Sequence, residues 1–199
     1  MAFTISDGKA LLELAHNSIY SILRDKVLKE DSILKQRFIE KRGVFVTIHK
    51  CGELRGCIGF IEPIFSLFDS VVKASTAAAF SDPRFPPLNL EEYKENNIEI
   101  EVSVLTLPKP VDNSSSEKCI RDIKVKRDGL IVEMNSFKGC LLPQVAGEYG
   151  WDEKQLLENT CIKAGLDKDV WKSEACRIYK FSAQIFSEKD GKVIESHIE

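Results

Sequence analysis

The sequence predicts an α+β fold in which a hairpin–helices–strand unit is written twice, giving a mainly antiparallel sheet flanked by helices. Three observations lead there. The apolar period switches from helical to alternating at Gly43. Two later hairpins carry matching cores, "RGC" at 55–57 and "KGC" at 138–140. Each hairpin is followed by helical sequence and then by a long alternating strand. Halves related in this way share one core, so 1–199 is expected as a single domain with approximate repeats at 43–107 and 123–186.

The elements follow in order. From Ser6 to Leu28, Leu11, Leu14, Ala15, Ile19 and Ile22 recur at helical spacing, leaving His16 and Arg24 off the stripe and facing solvent. A second helix is expected over 32–40. "VFVTIHK" and "LRGCIGFI" read as strands joined by a turn at Cys51 and Gly52. "SLFDSVVKASTAAAF" is helical, with Ala74, Ala77 and Ala78 narrowing one face, and the prolines of "SDPRFPPL" end it. Asn89 and Glu92 fit a reciprocal cap for a short helix. "IEIEVSVLTL" alternates as a half-buried strand with Glu99, Glu101 and Ser103 on one side.

Residues 108–118 form a linker-like break. Beyond it, "GLIVEM" and "FKGCLL" make the second hairpin, turning at Asn135 and Ser136. Asp152 and Gln155 cap a helix that Gly165 stops. "ACRIYKFSAQIF" is a further strand, and the polar tail has room for one more. In the repeat, Gly43, Val44, Phe45, Val46 and Ile48 match Gly129, Leu130, Ile131, Val132 and Met134, while Arg55, Gly56, Cys57 and Ile58 match Lys138, Gly139, Cys140 and Leu141.

Composition narrows the function classes. A net charge of -3 and a pI near 5.8 disfavour non-specific nucleic-acid binding, and the basic residues form no block suited to a membrane surface. No apolar run approaches the roughly 20 residues of a membrane span. The first residues lack the basic start and unbroken apolar stretch of a secretion signal. Six cysteines without a C-x-x-C pair, and three scattered histidines, point to reduced thiols in the cytoplasm and to no zinc site.

"LRGCIG" carries the chemistry. On a strand, Arg55, Cys57 and Gly59 share one face, while Leu54, Gly56, Ile58 and Phe60 share the other. Glycine weakens a strand interior, so two of them need a local reason. Gly59 removes cover beside the thiol, and Gly56 permits a bulge or a close backbone approach. Arg55 favours a thiolate by proximity and can hold a carboxylate or phosphate. Cys57 can therefore be an activated nucleophile; a buried, packed cysteine is the competing reading. His49 is the nearest base in sequence and equally suits an exposed hairpin position. Asp82 and Arg84 form a second polar pair, able to line a site or to make a local ion pair. Glu99 and Glu101 suit paired carboxylates or a wet face. Cys161 and Cys176 read as packing.

"LRGCIG", "AAFSDPRFPPL", "IEIEVSVLTLP", "LLPQVA", Trp151 and "CIKAGL" occur in an order that resembles the AMMECR domain family, named for a human disease-linked chromosomal region. The resemblance runs from Ser6 to about Glu188. It implies an α+β fold with an internal duplication and a larger and a smaller lobe. It also implies a functional surface at Leu54, Arg55, Gly56, Cys57, Ile58 and Gly59, without assigning a reaction. Family members are similar to the protein A component of AmmeMemoRadiSam gene sets, which implies a link to Memo-like and radical-SAM proteins. The "FKGCLLPQ" segment departs from the family pattern at Cys140, where an aliphatic residue is usual.

Two readings stay open. One is a cytoplasmic enzyme with Cys57 as nucleophile or acid/base, Arg55 as anion anchor and Glu101 as a third member. Leu54, Gly56, Ile58, Gly59, Asp82 and Arg84 then form the binding surface. The other is a non-catalytic binding or adaptor module whose glycine-opened groove accepts a peptide, a nucleic-acid end or a partner protein. A third, weaker reading is specific nucleic-acid recognition through Arg55, Arg84 and neighbouring aromatics. The expected partner is an unknown small molecule or protein, with nucleic acid not favoured. The cofactor is unknown on any reading, and fold alone does not choose among them.

Overall fold

Thr4 opens the first helix. In the computed structural model its hydroxyl accepts the Asp7 amide hydrogen, and the Asp7 carboxylate accepts the Thr4 amide hydrogen in return. The structure describes residues 2–29, 31–95, 98–189 and 192–197. Helix α1 (Ile5–Leu23) buries Leu11, Leu14, Ala15 and Ile19, the expected stripe. It stops five residues short of Leu28, because Asp25 takes a left-handed φ of 53° that helical backbone cannot continue. Helix α2 (Ser32–Arg37), capped by Asp31, is likewise shorter than its pattern.

Strands β1 (Val44–Lys50) and β2 (Glu53–Phe60) form a hairpin turning on Cys51 and Gly52, whose φ angles of 54° and 80° suit the twist of the flanking strands. Helix α3 (Leu67–Phe80) starts at Ser66, whose hydroxyl accepts from the Asp69 amide. Helix α4 (Leu90–Lys94) is capped by Asn89, and β3 (Ile98–Leu105) then pairs antiparallel with β1. The break expected as a linker holds β4 (Lys109–Pro110) and the start of α5 (Ser116–Asp122). There follow β5 (Gly129–Met134), β6 (Phe137–Leu141), α6 (Pro143–Tyr149), α7 (Glu153–Lys163) and a 3-10 turn at Val170–Lys172.

A single strand is expected over "ACRIYKFSAQIF", but the chain breaks at Ser182. Its carbonyl accepts from the Thr106 amide, and its own amide donates to the Thr106 hydroxyl. The two parts, β7 (Arg177–Phe181) and β8 (Ala183–Lys189), belong to different sheets. Strand β9 (Lys192–His197) completes the chain order. One sheet runs β2-β1-β3-β8-β9 and the other β4-β7-β5-β6.

The chain divides into two compact units, one running to Leu105 and including Gln184–Ser196, the other spanning Thr106–Ala183. The expected shared core gives way to two clusters. In the first unit Val44, Val46, Ile48, Ile100 and Val102 meet Leu11, Ile19, Val71 and Phe186. In the second, Leu130, Val132 and Ile178 meet Leu156, Leu157, Cys161 and Trp171.

Both units contain the same three-strand order, β2-β1-β3 and β6-β5-β7. In both, the hairpin glycine lies under a helix end: a Cβ on Gly56 would stand 2.2 Å from the Ala78 carbonyl oxygen, and one on Gly139 2.4 Å from the Ala164 nitrogen. The registers differ by two residues. Gly56 faces Ile48, whereas Gly139 faces Val132, the residue that the sequence matches to Val46.

Candidate functional site

Strand β2 is an edge of its sheet, so part of its backbone lacks a strand neighbour. The segment after α3 supplies one. The Cys57 amide donates to Asp82 Oδ2 at 2.9 Å, and the Arg84 guanidinium donates to the Cys57 carbonyl at 3.3 Å. Arg84 also grips Asp82 through Nε and a terminal nitrogen, at 3.0 and 2.7 Å. Asp82 is 4% exposed. The Arg84 guanidinium, helped by the two backbone amides, holds its carboxyl well below the usual range despite burial. The "SDPRF" and "LRGCIG" segments are thereby locked together, and Asp82 and Arg84, which also form the local ion pair, meet the Cys57 backbone.

Arg55 has a different place. The register skips it between His49↔Leu54 and Ile48↔Gly56, so Arg55 is the extra residue of a β-bulge and leaves the simple alternation. Its guanidinium makes two bonds to Glu92, at 2.8 and 3.1 Å, and one to the Pro86 carbonyl at 2.9 Å. The two side chains are 12% and 13% exposed. Glu92, expected to cap α4 in return for Asn89, is thus committed to Arg55 and to Lys50 at 3.5 Å. The Phe85 ring lies near both guanidiniums, 5.8 Å from that of Arg55 and 5.4 Å from that of Arg84.

Directly opposed residues in antiparallel strands share a face. Thr47 is opposed by Cys57 on one side and Glu101 on the other, so the three form a row away from the face carrying Val46, Ile48 and Ile100. The Thr47 hydroxyl donates to Cys57 Sγ at 3.4 Å. Glu101 lies two strands from Cys57, about 10 Å between backbones, with Thr47 between them. Burial pushes the Glu101 carboxyl up, against weaker opposing effects of His49 and of a hydrogen bond from Ser103.

The remaining predicted positions separate. Ile58 packs against the first core and Gly56 lies under α3. The space at Gly59, read as open cover beside the thiol, is taken by the Phe45 ring and the Val44 carbonyl. Leu54 is exposed opposite His49. Cys57 itself is half-buried. Thr47 and Phe85 were not singled out from the sequence; the alternation of β1 marks Thr47, while nothing local marks Phe85. Among the described residues no group of three or more His, Cys, Asp or Glu side chains has the geometry to hold a metal, and no helix is long and apolar enough to cross a membrane.

The AMMECR1 family model matches residues 12–186. The chain belongs to the AMMECR1 family. Among its AMMECR1 relatives, a protein of Methanothermobacter thermautotrophicus is 46% identical over 183 residues, covering 92% of this chain and 94% of that one. A protein of Methanocaldococcus jannaschii is 43% identical over 199 residues and covers 98% of both. The crystal structure of an uncharacterized protein from Pyrococcus horikoshii superposes with a TM-score of 0.83 at 42% identity, covering 96% of this chain and 97% of the other. The AMMECR1 match includes every residue of the Cys57, Asp82, Arg84 and Glu101 arrangement.

Proposed function

We propose that Cys57 is the reacting group of a cytoplasmic, cysteine-dependent enzyme. One observation carries the reading: the Cys57 amide is held by Asp82 and its carbonyl by Arg84, while the residue stays half-buried on the edge strand. Clamping the backbone of a nucleophile limits the positions its side chain can take. Arg84, with half of its side chain exposed, replaces Arg55 as the anion-holding group. Glu101, kept more protonated by burial, is the proton donor across Thr47. Leu54 and Phe45 border the surface. The family resemblance adds Memo-like and radical-SAM proteins as functional companions.

A second reading, a non-catalytic binding or adaptor surface, is favoured by one observation. The hydrogen bond at Cys57 Sγ comes from Thr47, which is not a base near neutral pH.

Brief alkylation followed by mass-spectrometric mapping tests the proposal. Cys51 is exposed in the hairpin turn and serves as the internal control. Burial pushes the Cys119 and Cys140 thiols up to about 11 and about 12, and Cys161 and Cys176 are buried. Cys57 is expected to react faster than Cys51, and Arg84→Gln to slow Cys57 severalfold without affecting Cys51. A Cys57 rate at or below that of Cys51, unchanged in Arg84→Gln, would leave the binding reading in its place.

A further inference from the structure

His16, expected to face solvent, is bonded at both ring nitrogens. Nδ1 lies 2.6 Å from the Tyr93 hydroxyl, and Nε2 lies 2.7 Å from Glu188 Oε2. A carboxylate only accepts, so Nε2 carries a hydrogen; in the neutral ring, Nδ1 then accepts from Tyr93. Glu188 Oε2 is steadied by the Ile100 amide at 3.3 Å. The result is a carboxylate–imidazole–hydroxyl series assembled from β8, α1 and α4, in which the carboxylate orients the ring and the ring holds the hydroxyl by a hydrogen bond. Burial, with the charge of Glu188, pushes the Tyr93 hydroxyl up to about 12, so it stays a protonated donor.

The same three residues line a cavity of about 640 Å³ in the first unit. That volume falls within the usual range for small-molecule sites. Leu12, Ile98 and Val193 provide apolar lining, and Lys9, Lys189 and Lys192 line it too. Three carboxylates line it as well: Glu188 is paired with His16, Glu13 with Lys9 at 3.9 Å, and Glu99 stands among the lining lysines. Lysines, apolar side chains and a hydroxyl able to give or accept a hydrogen bond, gathered in one cavity, match one ligand chemistry.

We propose that this cavity is a second site, separate from Cys57, that binds a small organic carboxylate: the carboxylate meets Lys189, Lys192 and the Tyr93 hydroxyl, and the apolar body rests on Leu12, Ile98 and Val193. When Tyr93 turns its hydrogen toward the bound anion, Nε2–H stays on Glu188 and Nδ1 takes up a proton from solvent to bond the phenol oxygen, so anion binding carries one proton with it.

The full chain, labelled with ¹³C and ¹⁵N in histidine and assigned with His16→Gln, is titrated with benzoate and isovalerate. Benzamide and isovaleramide serve as uncharged controls. At least one carboxylate is expected to shift the His16 ring signals in a saturable way, with the amides at least tenfold weaker. The combined Lys189→Gln and Lys192→Gln substitutions are expected to weaken binding severalfold, and Tyr93→Phe to weaken it again with the His49 signals unchanged. Without ligand, the ¹⁵N shifts should report the Nε2–H form of His16. The proposal is overturned if neither carboxylate moves His16, if an amide binds equally well, or if the lysine substitutions leave binding unchanged. Should Tyr93→Phe fail to fold, the lysine substitutions and the amide controls still decide.

Discussion

Asp82 accepts the amide hydrogen of Cys57 at 2.9 Å, across 25 positions of sequence, and so performs for an edge strand what a neighbouring strand would otherwise do. Because Asp82 is itself gripped by Arg84, removing it frees both a backbone donor and a guanidinium. Asp82→Ala is expected to cost about 1–3 kcal/mol, the usual penalty for a buried donor left without a partner. Urea unfolding of the variant against wild type measures it.

The same carboxylate makes a pH prediction. Its folded pKa is depressed, so its contribution is complete above the unfolded value near 3.9 and is lost as pH falls toward the folded value. The stability gap between wild type and Asp82→Asn should therefore narrow from about pH 5 downward. A gap that stays constant to the acid limit of folding would show that the carboxylate charge is unimportant.

Glu101 carries the opposite sign. Burial raises its folded pKa, so its contribution is present in full below the unfolded pKa and is lost as pH rises through the folded value. Glu101→Gln is expected to melt higher than wild type at neutral pH, with the advantage shrinking as the pH is lowered toward 4. Melting curves across that range check the trend, and a variant less stable at neutral pH contradicts it.

Gly56 and Gly139 each lie against backbone of a helix end, with Cβ positions 2.2 and 2.4 Å from the nearest atoms. Backbone cannot swing aside as a side chain can, so alanine at either site is expected to cost about 1–3 kcal/mol by overpacking. Gly52, with open space but a φ of 80°, is the control, and alanine there should cost only about 1–2 kcal/mol. Guanidinium midpoints for the three variants test the order.

Arg55→Ala should lower stability by about 1–3 kcal/mol, because it leaves the mostly buried Glu92 with only the longer Lys50 contact and frees the Pro86 carbonyl. Thermal melts of Arg55→Ala and Arg55→Lys separate charge from the two-pronged geometry. A variant that melts like wild type would return Arg55 to the list of ligand-holding groups.

Much of the fold was legible locally. Apolar period marked α1, α3 and the strands from β1 to β3, the Cys51–Gly52 and Asn135–Ser136 turns followed from residue type, and the capping pair Asp152–Gln155 forms as read. At the site, alternation along β3 placed Glu101 and Ser103 on one face, and the choice of Asp82 and Arg84 from "SDPRF" brought in two residues that do meet Cys57. These features depend on bonds and contacts within a few residues, which is the range over which a sequence pattern carries information.

Only the tertiary structure decided the rest. The bulge that diverts Arg55 to Glu92 depends on a register shift against β1, and a single skipped residue removes a side chain from its expected face. The break at Ser182 depends on Thr106, 76 positions away, and no local pattern distinguishes β7 and β8 from one continuous strand. The series His16–Tyr93–Glu188 joins residues 77 and 172 positions apart, each of which looks like a surface residue on its own element. The sequence by itself determined the main helices and the strands of both hairpins, because backbone propensity and apolar period act locally; β4, α5, the split at Ser182 and which polar side chains meet were decided by strand register and helix packing, which bring distant parts of the chain together.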